Sequence, residues 1–223
     1  MGFVRYGKSC YDDKKYMENF EKMYAMQNQE KEKMEKDEEI IDDGLGILIT
    51  KKIIYHGSDV QGISRFTKAI DATVGNGIYF TSEADKAEGY AQIRSSGKKD
   101  VSPVVYEASI ENVKLLDLRN TENIQKILPG FKKLLMEQTA REDTTWWVAG
   151  AINTSIEAID AGKITTGRLK EVVGSHGELF TQYVQSLGYD GVIALEGGEG
   201  EIGNHDTYLI FDPDKINIIQ EHR

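Results

Sequence analysis

Residues 75–91 read GNGIYFTSEADKAEGYA, and the change of texture along this stretch decides the fold. After the Gly-Asn-Gly turn, residues 77–82 form a run of branched and aromatic side chains that predicts a strand. Ser82 and Glu83 then open a helix, with Ala84, Ala87, Tyr90 and Ala91 at its spaced small and apolar positions. Upstream, residues 52–58 (KIIYHGS) predict a strand that ends at a turn. Downstream, residues 101–110 predict a third strand, with Pro103 at an edge or strand start, and residues 115–118 a short fourth. The period then changes. Residues 121–128, 131–141, 145–161 and 165–187 read as helices, punctuated by Pro129-Gly130, Gly162 and Gly174. Strands return at 191–196, 207–212 and 216–219, the first two joined by a Gly- and Glu-rich loop at 197–204. Strands, a helical block, then strands again predict an α+β fold rather than a doubly wound parallel sheet.

The 223 residues suit a domain of ordinary size with an appendage, long enough to bury a core without disulfides. A hydrophobic content of 39% with 29% charged residues excludes a membrane-spanning or wholly disordered chain. The first residues, MGFVRYGKSCYDDKK, lack an apolar signal region, so a cytoplasmic location is expected. Cys10 is the only cysteine, which excludes an intrachain disulfide and a Cys-based zinc site. The net charge of −10 is uneven: residues 12–43 hold 12 acidic and 6 basic residues, leaving only −4 for the rest. That N-terminal segment, 1–45, reads as a charged helix with Tyr16, Phe20 and Met23 at helical spacing. It is a surface for an inhibitor or a second copy, or else a helix packed on its own domain.

Familiar signatures are missing: no Walker-A loop, no G-x-G-x-x-G after a strand, no H-E-x-x-H and no G-x-S-x-G. What remains is a set of small motifs at strand ends. Tyr55-His56-Gly57-Ser58 places a histidine and a glycine where a strand stops, Tyr79 follows a turn, and Tyr90 sits in the next helix. Two phenol rings, a histidine and a glycine backbone together suit a planar amide, the rings stacking on its faces and the backbone pairing with the carboxamide.

These residues, with TYLIFDPDKI at 207–216 and GYDGVI at 188–193, resemble the H-Y-E class of ADP-ribosyltransferases, especially its bacterial and phage branch of polyvalent proteins. The resemblance covers residues 50–118 and 187–220. It implies a pair of facing β-sheets over 46–223, with 121–187 as a helical insertion. It implies NAD⁺ as substrate, with His56, Gly57, Ser58, Tyr79 and Tyr90 binding it: His56 on the ribose beside nicotinamide, Gly57 on the carboxamide, the tyrosines about the ring. Ala87 stands where the family often has a serine. The family's catalytic glutamate precedes the aromatic of the last core strand, and Thr207 stands there. Asp206, one residue earlier, is taken as the acid beside His56 and Tyr79, with Glu201 second and Glu199 also within reach; in an ideal strand Asp206 faces the other way. An acid is wanted because breaking the bond to nicotinamide builds positive charge on the ribose.

The activity implied is transfer of one ADP-ribose unit to a protein or nucleic acid, in a toxin, effector or phage-conflict protein. The alternatives are an NAD⁺ glycohydrolase and a catalytically weak NAD-binding or partner-binding module. Elsewhere, His205 beside Asp206 suggests a proton-handling pair, but neighbours in a strand face opposite ways, which argues against it; His176 reads as a surface loop histidine, and Trp146-Trp147 read as core aromatics rather than a base-stacking platform.

Overall fold

The computed structural model describes residues 40–42, 44–70, 73–197 and 202–223. The chain divides into Met1–Asp37 and Glu38–Arg223. The expected N-terminal helix lies outside the described residues, and all that follows concerns the second unit.

Seven strands form one continuous hydrogen-bonded network in the order β1-β2-β3-β6-β5-β4-β7, with β2 also paired to β4. The ladder therefore closes through β2, β3, β6, β5 and β4, where two facing sheets were expected. β1 (Ile40–Asp42) lies antiparallel on the start of β2 (Gly46–Ser58). β2 runs antiparallel along β4 (Val104–Asp117), from Gly46↔Leu116 to Ser58↔Val104. β3 (Ile78–Thr81) joins β6 (His205–Ile210), which joins β5 (Gly191–Glu196). β5 returns to β4 in parallel, and β7 (Ile216–His222) covers the other end of β4.

Two expected strands, 101–110 and 115–118, are one strand of 14 residues. The polar stretch at 111–114 resembles a turn, but register holds on both sides of it, at Lys51↔Glu111 and Ile49↔Val113. Asn112 absorbs the irregularity with a φ of 52°, a conformation asparagine tolerates.

Between β3 and β4 lies α1 (Ala84–Ser95); between β4 and β5 lie α2 (Thr121–Thr139), α3 (Trp146–Asp160), α4 (Lys170–Val173) and α5 (Gly177–Ser186). Pro129 was expected to end a helix, yet α2 continues through it. Ile124, Ile127, Leu128, Phe131 and Leu135 make one buried face across the proline, and the Tyr183 hydroxyl donates to the Ile127 carbonyl at 2.9 Å. Burial of that face outweighs the roughly 3 kcal/mol cost of an interior proline. Conversely, the expected helix over 165–187 breaks into short pieces at Gly174–His176. There His176 turns inward and meets the Ser155 hydroxyl of α3 at 3.1 Å, a buried link rather than a surface histidine.

One core cluster packs the helical block against a sheet face, through Leu118, Phe131, Phe180, Val184, Val192 and Leu209. A second is built from the closed strands and the loop after β2, with Ile54, Phe66, Phe80, Tyr106, Ile193 and Tyr208. Trp146 and Trp147 belong to neither: they are 83% and 60% exposed, against the expectation of core packing. They open α3, where the helix's buried positions are Ile152 and Ser155 instead.

Candidate active site

The site begins where β2 and β3 part. Their register contains a single pair, Tyr55↔Thr81. One residue further on, the His56 side chain fills the gap, its Nδ1 lying 2.7 Å from the Tyr79 carbonyl. A carbonyl only accepts, so Nδ1 carries the proton and Nε2 of the neutral ring is left as an acceptor. The ring packs against Phe66 and Phe80, with centroids at 5.0 and 5.6 Å. Burial pushes the His56 pKa down, and the positive charge of Arg94 adds to this, although the bond to Tyr79 opposes it. His56 is therefore neutral at physiological pH.

Gly57 comes next, and the reason for a glycine is packing. A Cβ there would lie 1.9 Å from the Ala87 carbonyl oxygen and 2.7 Å from the Ala91 nitrogen, both backbone atoms of α1. The helix rests directly on the strand, which brings Ala87, Tyr90 and Arg94 to the same cleft. Ser58, expected to bind cofactor, does not line this cleft. It is buried, and its hydroxyl accepts from the Val60 N–H at 3.1 Å, closing the turn that ends β2.

Tyr79 is held by both ends. Its hydroxyl accepts from the Val74 N–H at 3.1 Å and donates to the Gly75 carbonyl at 2.8 Å, pinning the turn before β3. That turn is itself tied to α5: the Asn76 N–H donates to Thr181 Oγ1 at 2.9 Å. The helical insertion thus sets the position of a cleft residue. Elsewhere in the lining, the Tyr90 hydroxyl lies 3.3 Å from His205 Nε2. His205 Nδ1 lies 3.1 Å from the Gly203 carbonyl, so it holds the proton and Nε2 accepts from Tyr90. Burial raises the pKa of both phenols, and the Glu196 carboxylate raises both further.

The structure does not bring Asp206, the expected acid, to the cleft. Side chains alternate along β6, so His205 and Thr207 face the cleft while Asp206 faces away. Asp206 instead accepts from Arg119 at 2.7 Å, and the same guanidinium holds Asp117. Glu199 and Glu201 fall outside the described residues. A carboxylate nevertheless lines the cleft, that of Glu196, the last residue of β5. It pairs in register with His205, and Thr207 Oγ1 donates to its Oε2 at 2.8 Å. Sequence reasoning missed Glu196 and Arg94. Strand parity was the available signal: in GVIALE, Glu196 shares a face with the core residues Val192 and Ala194.

The cleft thus gathers His56, Gly57, Tyr79, Tyr90, Arg94, Glu196, His205 and Thr207 from four strands and a helix. Its volume of about 210 Å³ is below the roughly 300 Å³ of pockets that enclose a whole small-molecule ligand. It suits one ring of a larger ligand, with both aromatic and polar side chains in its lining. No helix among the described residues is long and apolar enough to cross a membrane.

Comparison with known proteins bears on what that ligand is. A family model described as "ADP-Ribosyltransferase in polyvalent proteins" matches residues 50–223. No curated protein matches the chain. Among solved structures, a chain of the "M.tuberculosis MbcT-MbcA toxin-antitoxin complex" is similar, at 12% identity and a TM-score of 0.38, covering 79% of this chain and 86% of that one.

Proposed function

The chain belongs to the ADP-ribosyltransferase family of polyvalent proteins, and from that premise we propose that it cleaves NAD⁺ and moves a single ADP-ribose unit to a macromolecular acceptor, protein or nucleic acid. The nicotinamide ring enters the cleft between Tyr79 and Tyr90, and the ADP-ribose remains outside it. His56 Nε2 accepts from a hydroxyl of the adjoining ribose, and the backbone of Gly57 pairs with the carboxamide. The neutral state of His56 suits this task, because a second ring proton would add like charge beside the pyridinium.

The observation that carries the reading is the convergence of His56, Tyr79 and Tyr90 on one cleft too small for a dinucleotide and well sized for its pyridine end. Stacking holds the leaving group and excludes water. Single-unit transfer is favoured by Thr207, because it stands where the family resemblance places the glutamate associated with elongation.

Incubation with NAD⁺ labelled in the adenylate, with lysate as acceptor source, tests this. Label on macromolecules supports transfer. Free ADP-ribose alone replaces it with NAD⁺ hydrolysis, and no turnover with retained NAD⁺ binding leaves a binding module. His56→Ala should lower nicotinamide release by about 100-fold, the usual cost of misplacing a reacting group. Activity within twofold of the parent would refute the site.

A further inference from the structure

Glu196 supplies a carboxylate to the cleft, and it comes from a different strand than the residue first taken as the acid. We propose that Glu196 is the carboxylate that stabilises the cationic ribose as the bond to nicotinamide breaks, and that Thr207 is the positioning residue that holds it there. The inference rests on the NAD⁺-cleaving reading and deepens it by naming the acid.

The chemistry sets the requirement. The bond between ribose C1′ and the pyridinium nitrogen breaks heterolytically, and its electron pair goes to the nitrogen, which becomes neutral. Positive charge appears on C1′ and the ring oxygen, as in glycoside hydrolysis. The acceptor's oxygen or nitrogen then forms a bond to C1′, and its proton passes to the Glu196 carboxylate and on to solvent. A fixed negative charge aimed at the ribose stabilises the first step and takes the proton of the second.

Glu196 meets that requirement in three ways. It is partly buried at the cleft wall, where a charge acts more strongly than in bulk water. One oxygen is anchored: the Thr207 hydroxyl has a single proton and gives it to Oε2 at 2.8 Å. The other oxygen has no hydrogen bond or ion pair among the described residues. Asp206 is unsuited because it faces away from the cleft and is paired with Arg119.

The test measures NAD⁺ binding by calorimetry and nicotinamide release, with water as acceptor, on the full chain and its variants. Glu196→Gln keeps the shape and loses the charge. It should bind NAD⁺ within about threefold of the parent while release falls about 100- to 1,000-fold, the cost of removing one aimed group. Thr207→Val should lower kcat by about 10- to 100-fold with KM little changed, and Thr207→Ser should restore it, because only the hydroxyl is needed. Release within twofold of the parent in Glu196→Gln overturns the inference and leaves the reading intact. Loss in Asp206→Asn or Glu201→Gln, with Glu196→Gln unaffected, overturns it in favour of those acids. A parent chain that neither binds nor cleaves NAD⁺ fails the reading itself. Should Glu196→Gln fold poorly by circular dichroism, Glu196→Asp replaces it; the same charge on a shorter arm should still lower kcat, and unchanged turnover overturns the inference.

Discussion

Gly57→Ala adds one methyl group and should displace the helix that brings Ala87, Tyr90 and Arg94 to the cleft. The new Cβ would sit 1.9 Å from the Ala87 carbonyl oxygen, where ordinary contact begins at 3.4 Å. The difference, 3.4 − 1.9 = 1.5 Å, must come from relative movement of β2 and α1, because the nearest atoms are backbone and no side chain can turn away. Overpacking of this kind costs about 3 kcal/mol, the upper end of its usual range. For a chain of this size that lowers Tm by roughly 6–12 °C. Any variant that stays folded carries Tyr90 and Arg94 on a shifted helix, so NAD⁺ turnover should fall about 100-fold. Thermal melting followed by circular dichroism reads the first effect and nicotinamide release the second. Gly150→Ala is the control: it lies within α3, a Cβ there meets nothing within 4 Å, and the change should stabilise by up to about 1 kcal/mol. A Gly57→Ala protein that melts with the parent would refute the account of this glycine as a packing requirement.

Two further outcomes follow from the same geometry. Tyr79→Phe keeps the ring but strips the Val74 N–H and the Gly75 carbonyl of a shared partner. It should cost about 2 kcal/mol and affect NAD⁺ affinity much less than Tyr79→Ala does; an unchanged Tm would show that the turn does not depend on the hydroxyl. Stability should also fall on acidification. His56 and His176 both have pKa values lowered by burial, so below about pH 6.5 the unfolded chain binds protons that the native chain does not. Stability then rises with pH up to that value and is lost as pH falls through the native pKa values, by at most about 1.4 kcal/mol per pH unit for each histidine. Denaturant titrations at pH 7.5 and 5.5 measure this, and a His56→Gln/His176→Gln protein with an undiminished slope would show that other groups cause it.

The helical insertion affects the cleft only from a distance. It ties down the Gly75–Asn76 turn through Thr181 and so bears on where Tyr79 stands, although it contributes no residue to the cleft. The ordering of the chain and the placing of the site are therefore not separate matters.

Local chemistry along the chain was enough for the strand–helix unit at 78–95, because β-branched and aromatic residues followed by spaced alanines carry their period within a few residues. It was enough, too, for β5 at 191–196, and for suspecting that His56, Tyr79 and Tyr90 serve one purpose. What neighbouring residues could not reveal was set by contacts across the chain. The helix passes through Pro129 because its buried face is long, and 104–117 is a single strand because β2 pairs with both ends of it. The carboxylate that lines the cleft is the clearest case. Whether Asp206 or Glu196 meets the cleft depends on strand parity together with the alignment Glu196↔His205. That register is settled by which faces of the sheet are buried, and burial is a property of the assembled fold.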